Sequence, residues 1–187
     1  MLNNEAMAGP VDLYREASDR ALAVVGGVTP GQWDDPTPCT EWDVRALVDH
    51  LVGGAAYLQG ALAGRAPEPV TGATAADYRA RLAEVREGAT DPVALARVCM
   101  SPLGFEWTAA EAFAGTFMDT LIHTWDLATA TGQDATLDPG LVAACTALFL
   151  PEMPERGRAA GIIGPAVPVG ADASPQDRLL AAMGRHP

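Results

Sequence analysis

Two long stretches of this chain carry their apolar residues at helical spacing, and that periodicity restricts the fold more than any other feature. Between Thr40 and Leu62 the apolar stripe is Val44, Leu47, Val48, Leu51, Ala55, Leu58 and Leu62. Intervals of three and four residues keep one face of a helix apolar. From Val11 to Val25, the positions Leu13, Ala17, Ala21 and Val25 repeat every four residues, Leu22 and Val24 widen the stripe, and Gly26-Gly27 ends it. No alternating run demands a sheet.

The punctuation between these runs predicts the remaining elements. Thr40 and Asp43 read as a capping box opening the second helix at Thr40, after an ordered loop over Val28–Cys39. A polar stretch, Arg65–Thr74, precedes a third helix over Ala75–Arg86, with Tyr78, Leu82 and Val85 on one side. Asp91-Pro92 starts a short helical piece through Val98, and Ser101–Trp107 is a connector. Thr108 with Glu111 forms a T-x-x-E box that opens a long helix to Thr131, stopped by Gly132. Asp138-Pro139 starts a further helix ending at Pro151. Gly161–Asp172 reads as extended surface chain, and Ser174-Pro175-Gln176-Asp177 caps a last short helix ending at Gly184. The expectation is an all-α four-helix bundle with additional short helices and an extended C-terminal tail. It is read as one domain over residues 1–187, with a core at about 10–152 and a tail at 153–187.

Composition excludes several partners. A net charge of −12 disfavours nucleic acid, whose phosphates need a basic surface, and disfavours docking on an anionic membrane. All twelve basic residues are Arg, so lysine chemistry such as Schiff-base formation is ruled out. The N-terminus, M-L-N-N-E-A-M-A-G-P, has no basic region followed by an apolar core, so no signal peptide is read there. The longest apolar candidate, Leu141–Leu150, is too short to span a membrane. Cys39, Cys99 and Cys145 form no C-x-x-C pair, so neither a disulfide framework nor a cysteine zinc site is expected, and a reducing cytoplasm is the expected location.

Among three histidines, two lie within predicted helices. His123 follows Asp119 by four residues in D-T-L-I-H, so the two side chains leave one helix in the same direction. His50, from the second helix, would complete a two-His, one-carboxylate set suited to a divalent metal with open positions. His50 shares its face with Asp43, Ala46, Gly53, Gly54, Tyr57 and Ala61; Asp119 and His123 share theirs with Ala112, Gly115, Thr116, Asp126 and Ala130. Small residues beside ionisable ones leave room for a ligand. By themselves these spacings also fit a hydrogen-bonded core histidine and an i,i+4 ion pair.

Asp126 lies nearly on the Asp119 face, where it could orient a ligand histidine, carry a proton, or pair with an arginine. Asp43 is explained by capping. Cys39, ahead of a helix N-terminus where a thiol pKa falls, reads as structural rather than catalytic. Trp42, Trp107 and Trp125 read as core or cavity wall, Cys99 and Cys145 as small apolar residues, and His186 as solvated.

Two longer strings go further. Thr37–Gly53, T-P-C-T-E-W-D-V-R-A-L-V-D-H-L-V-G, and Asp119–Gly132, D-T-L-I-H-T-W-D-L-A-T-A-T-G, resemble the N-terminal metal-binding domain of mycothiol-dependent maleylpyruvate isomerase, within the DinB-like superfamily. The nearest likeness is to uncharacterised actinobacterial single-domain relatives, whose tails also resemble G-P-A-V-P-V-G-A-D-A-S-P-Q-D-R-L-L-A. The resemblance implies a DinB-like bundle holding one divalent metal, Zn2+ first and Ni2+ or Fe2+ next, on His50, Asp119 and His123. It implies mycothiol as the thiol, and a transferase or cis–trans isomerase acting on a small electrophile through a metal-activated thiolate.

The isomerase has Glu at the position of Asp119, and a separate C-terminal domain that these residues do not match. The maleylpyruvate reaction itself therefore does not follow from the resemblance. A non-haem iron enzyme and a non-catalytic, metal-containing small-ligand-binding protein are the alternatives, and a homodimer is left open.

Overall fold

A Pro in the first helical turn or a hydroxyl cap opens most of the helices, and these signals locate the helix heads at Pro92, Ala109, Pro139 and Pro175. The computed structural model describes residues 8–187; the N-terminal segment read for a signal peptide lies, through Met7, outside the described residues. Four long helices form the body: α1 (Pro10–Gly26), α2 (Val44–Ala63), α3 (Ala75–Gly88) and α5 (Ala109–Ala130). Helix α1 packs on α5 and α3, and α2 packs on α3 and α5, so the four close into a bundle. The shorter helices are α4 (Pro92–Leu95), α6 (Pro139–Phe149), α7 (Met153–Ala159) and α8 (Pro175–Ala182). The fold is all-α apart from one small hairpin.

The predicted stripes are the ones that fill the core. Leu47, Leu51 and Leu58 of α2 and Leu13, Ala17 and Ala21 of α1 are buried against Phe113, Phe117 and Leu121 of α5 and Tyr78 and Leu82 of α3. Each fully buried leucine contributes about 1.5–3 kcal/mol relative to exposure. The Thr108 and Glu111 side chains and backbone amides exchange hydrogen bonds as a complete capping box at the head of α5. Thr74 with Asp77 on α3 and Ser174 with Asp177 on α8 do the same.

Three expectations are corrected. Helix α2 starts at Val44, and Asp43 is its N-cap, accepting from the Ala46 amide, rather than the third residue of a box opened by Thr40. The preceding loop holds this boundary: the Val44 amide donates to the Asp35 carbonyl and the Arg45 amide to the Trp33 carbonyl, so neither is free for a longer helix. Strands β1 (Val98–Met100) and β2 (Glu106–Thr108) form an antiparallel hairpin across the Ser101–Trp107 connector and end the short helical piece at Leu95. Helix α7 falls in a segment read as tail. Among the described residues, no helix is long and apolar enough to cross a membrane.

Candidate metal centre

His50 lies in the second turn of α2, just beside its buried stripe, and Asp119 and His123 lie one turn apart on α5. The packing of α2 on α5 brings the three together. His50 Nε2 is 2.9 Å from one Asp119 carboxylate oxygen and 3.1 Å from the other. His123 Nε2 is 3.5 Å from Asp119 Oδ1. One ligand-type atom from each residue falls within 4.8 Å of the others. The two imidazoles meet edge to face at 4.8 Å, and the Trp42 ring lies against both, 4.4 Å from His50 and 5.3 Å from His123. Trp42 is therefore a wall of this cluster, as one of its two expected roles has it.

The cluster has a wet side and a dry side. The side chains of His50 and Asp119 are 34% and 33% exposed, whereas that of His123 is 10% exposed and that of Asp126 fully buried. On the dry side His123 Nδ1–H donates to Asp126 Oδ2 at 2.8 Å. That bond fixes the ring and directs Nε2 toward Asp119. Asp126 in turn accepts from Arg185, Nη2 to Oδ2 at 2.8 Å and Nε to Oδ1 at 3.2 Å. Of the roles read for Asp126 in the sequence, histidine contact and arginine pairing are both present. Arg185 itself was not singled out by the sequence, because no spacing relates two residues 59 positions apart.

The electrostatics follow from this packing. Burial alone would push the Asp119 carboxyl up, but the His50 and His123 rings beside it hold it far below the usual carboxylate range. Burial works against a charged His123, yet Asp119 and Asp126 on either side raise its pKa to about 9. Burial likewise opposes ionised Asp126, and the hydrogen bonds from His123 and Arg185 override it, keeping the carboxyl below its ordinary value. The two carboxylates thus stabilise the protonated form of His123.

The small-residue faces are less empty than their sequence suggests. Gly115 is needed because the Trp107 ring lies where its side chain would be, 2.6 Å from a Cβ built there. Gly54 faces Thr116 of α5 at 3.3 Å, so it serves close helix packing. Gly53 alone of these faces open space. Trp107 is held by donating its indole N–H to the Tyr57 hydroxyl at 2.6 Å. Trp125 is core.

Cys39 is half-buried and its thiol pKa is raised, first by burial. The lowering expected from a helix N-terminus does not occur, since α2 begins five residues later. Cys145 is buried, with its thiol pushed up to about 12, and His186 is exposed, both as expected.

No solved structure matches the chain. Two uncharacterized proteins of Mycobacterium tuberculosis, one from strain CDC 1551 / Oshkosh and one from strain H37Rv, are each 33% identical to it over 184 residues, spanning 94% of this chain and 97% of theirs. The profile of the mycothiol maleylpyruvate isomerase N-terminal domain matches residues 14–128, a span running from α1 to the last turn of α5 and enclosing His50, Asp119, His123 and Asp126. With that span covering more than half of its length, the chain belongs to the mycothiol maleylpyruvate isomerase N-terminal domain family.

Proposed function

We propose that His50, Asp119 and His123 hold a divalent metal ion, zinc first among the candidates, and that the protein uses a small-molecule thiol to attack a small electrophile. The carrying observation is the convergence of two imidazoles and one carboxylate from two helices on one point. The donor set fits such an ion: two nitrogens and one oxygen suit zinc or Fe(II), and three protein donors leave positions for other groups. The ionised carboxylates of Asp119 and Asp126 put negative charge on both sides of His123, which attracts a cation, and a bound metal displaces the proton that the same charge holds on His123. When bound, a divalent ion supplies positive charge that deprotonates a thiol or acidifies a water at neutral pH.

The chain's own residues do the rest of the work under this reading. Asp126 accepts the His123 Nδ1 proton, so the Nε2 lone pair is the one offered to the centre. Asp126 is fully buried with both oxygens engaged, which favours its orienting role over proton carriage. Trp42 covers one side of both imidazoles, while the exposed sides of His50 and Asp119 leave an approach for the thiol and its electrophile. Family membership makes mycothiol the first thiol to test. Addition of a thiolate to an unsaturated acceptor gives a conjugate; addition followed by elimination after bond rotation gives the other geometric isomer.

The test is a thermal melt of zinc-loaded protein with and without millimolar mycothiol, alongside metal analysis of protein purified without added metal. A ligand that binds only the folded state raises the melting temperature, so a clear upward shift is expected. No shift removes the thiol half of the proposal. Stoichiometric iron in the purified protein favours the non-haem iron reading instead.

A further inference from the structure

We infer that Arg185, from the C-terminal segment, is a positioning residue for His123, acting through Asp126, so that the tail beyond the bundle completes the site. The inference rests on the metal reading above and adds a residue that lies outside the matched family span.

The local structure is built to put this arginine where it is. Helix α8 ends in a Schellman turn: the Gly184 amide donates to the Ala181 carbonyl at 3.1 Å and the Arg185 amide to the Leu180 carbonyl at 2.9 Å. Gly184 has φ +81°, and a Cβ there would meet the Gly164 backbone at 3.0 Å, so the turn admits no side chain. Leu179, Leu180 and Met183 are buried and anchor the helix. The Arg185 side chain is 11% exposed, with Nη1 donating to the Met183 carbonyl at 2.9 Å and Nε and Nη2 gripping the two Asp126 oxygens.

A two-toothed guanidinium–carboxylate contact fixes the carboxylate plane as well as its charge. Asp126 Oδ2 accepts from both His123 and Arg185, so the plane that Arg185 fixes also sets the His123 ring. Without Arg185, a buried carboxylate would have only the histidine ring and would be free to turn about its own bond. Lysine cannot span both oxygens and would restore the charge without the plane.

The test is zinc titration of the full chain in wild-type, Arg185→Met, Arg185→Lys, Asp126→Asn and doubly substituted D126N/R185M forms. Residues that orient a ligand histidine are worth about 10–100-fold in metal affinity, so R185M is expected to bind zinc weaker by that factor and R185K to recover part of it. Because Arg185 acts through Asp126, the double variant is expected to be no weaker than D126N alone. It also removes the unpaired buried charge, which keeps the comparison available if R185M folds poorly. In metal-free protein, the hydrogen-bonded His123 Nδ1 proton is expected to exchange slowly in wild type and R185K and fast in R185M. Equal zinc affinity in R185M and wild type, or fully additive losses in the double variant, overturns the inference. Failure of the wild type to bind zinc instead overturns the metal reading and this inference with it.

Discussion

His50 Nε2 on α2 sits 2.9 Å from Asp119 Oδ2 on α5, a contact between two residues 69 positions apart in the chain. Like the edge-to-face contact of the His50 and His123 rings, it depends on the packing of α2 on α5, whereas Asp119 and His123 share a helix. Substituting any of the three tests whether the convergence holds a metal. His50→Ala and His123→Ala are expected to lower bound zinc from about one ion per chain to near zero. Helix content should survive in His50→Ala, whose side chain is one-third exposed. Metal analysis with circular dichroism on the same preparations checks both statements, and full metal content in either variant refutes the site.

The helix that carries Asp119 and His123 is anchored at its head by the Thr108–Glu111 box, and its stability should carry an acid signature. Hydrogen bonds from the Thr108 amide and hydroxyl hold the Glu111 carboxyl below its usual pKa of 4.5. A carboxyl lowered in the folded state contributes in full above its unfolded pKa and loses that contribution as pH falls through the folded one. Thr108→Ala is expected to cost about 1 kcal/mol at neutral pH. Its stability should also fall less steeply than that of the wild type as pH drops below about 4.5. Urea denaturation at several pH values measures both, and an unchanged acid limb would show that the Thr108 hydroxyl adds nothing to the hold that the Thr108 amide keeps on Glu111.

The residues that make the core and the caps were legible in sequence because their signals are local. Apolar spacing fixed the buried faces of α1, α2 and α3, and the T-x-x-E string located the head of α5 to the residue. Two capping residues within one loop were not separable by sequence: Thr40 and Asp43 both qualify, and only the Asp35 and Trp33 carbonyls decide for Asp43. The hairpin escaped because its strands have three residues each, too few for a period of two to show. Asp119 and His123 were legible as a pair because a helix turn joins them, whereas the approach of His50 depends on how α2 packs on α5. Arg185 was invisible for the same reason in stronger form, since the C-terminal turn that carries it reaches Asp126 only through tertiary packing.

Gly53 and Gly115, on the helices that carry the cluster, are expected to respond in opposite ways to the same substitution. Both lie in helix interiors, where exchanging glycine for alanine ordinarily stabilises by about 0.5–1 kcal/mol. Gly53, three residues after His50, has nothing within 4 Å of a built Cβ, so Gly53→Ala should show that gain. At Gly115 the new methyl would lie 2.6 Å from Cη2 and 3.0 Å from Cζ3 of Trp107. That ring has little freedom to retreat, because its indole N–H is bound to the Tyr57 hydroxyl, which donates in turn to the Met100 carbonyl at 2.9 Å. Overpacking of this kind costs about 1–3 kcal/mol, so Gly115→Ala should be destabilising despite its better helix propensity. Equilibrium unfolding of the two variants decides the matter. Destabilisation by Gly53→Ala would mean that the space beside His50 is filled, and stabilisation by Gly115→Ala would mean that Trp107 is not held against α5.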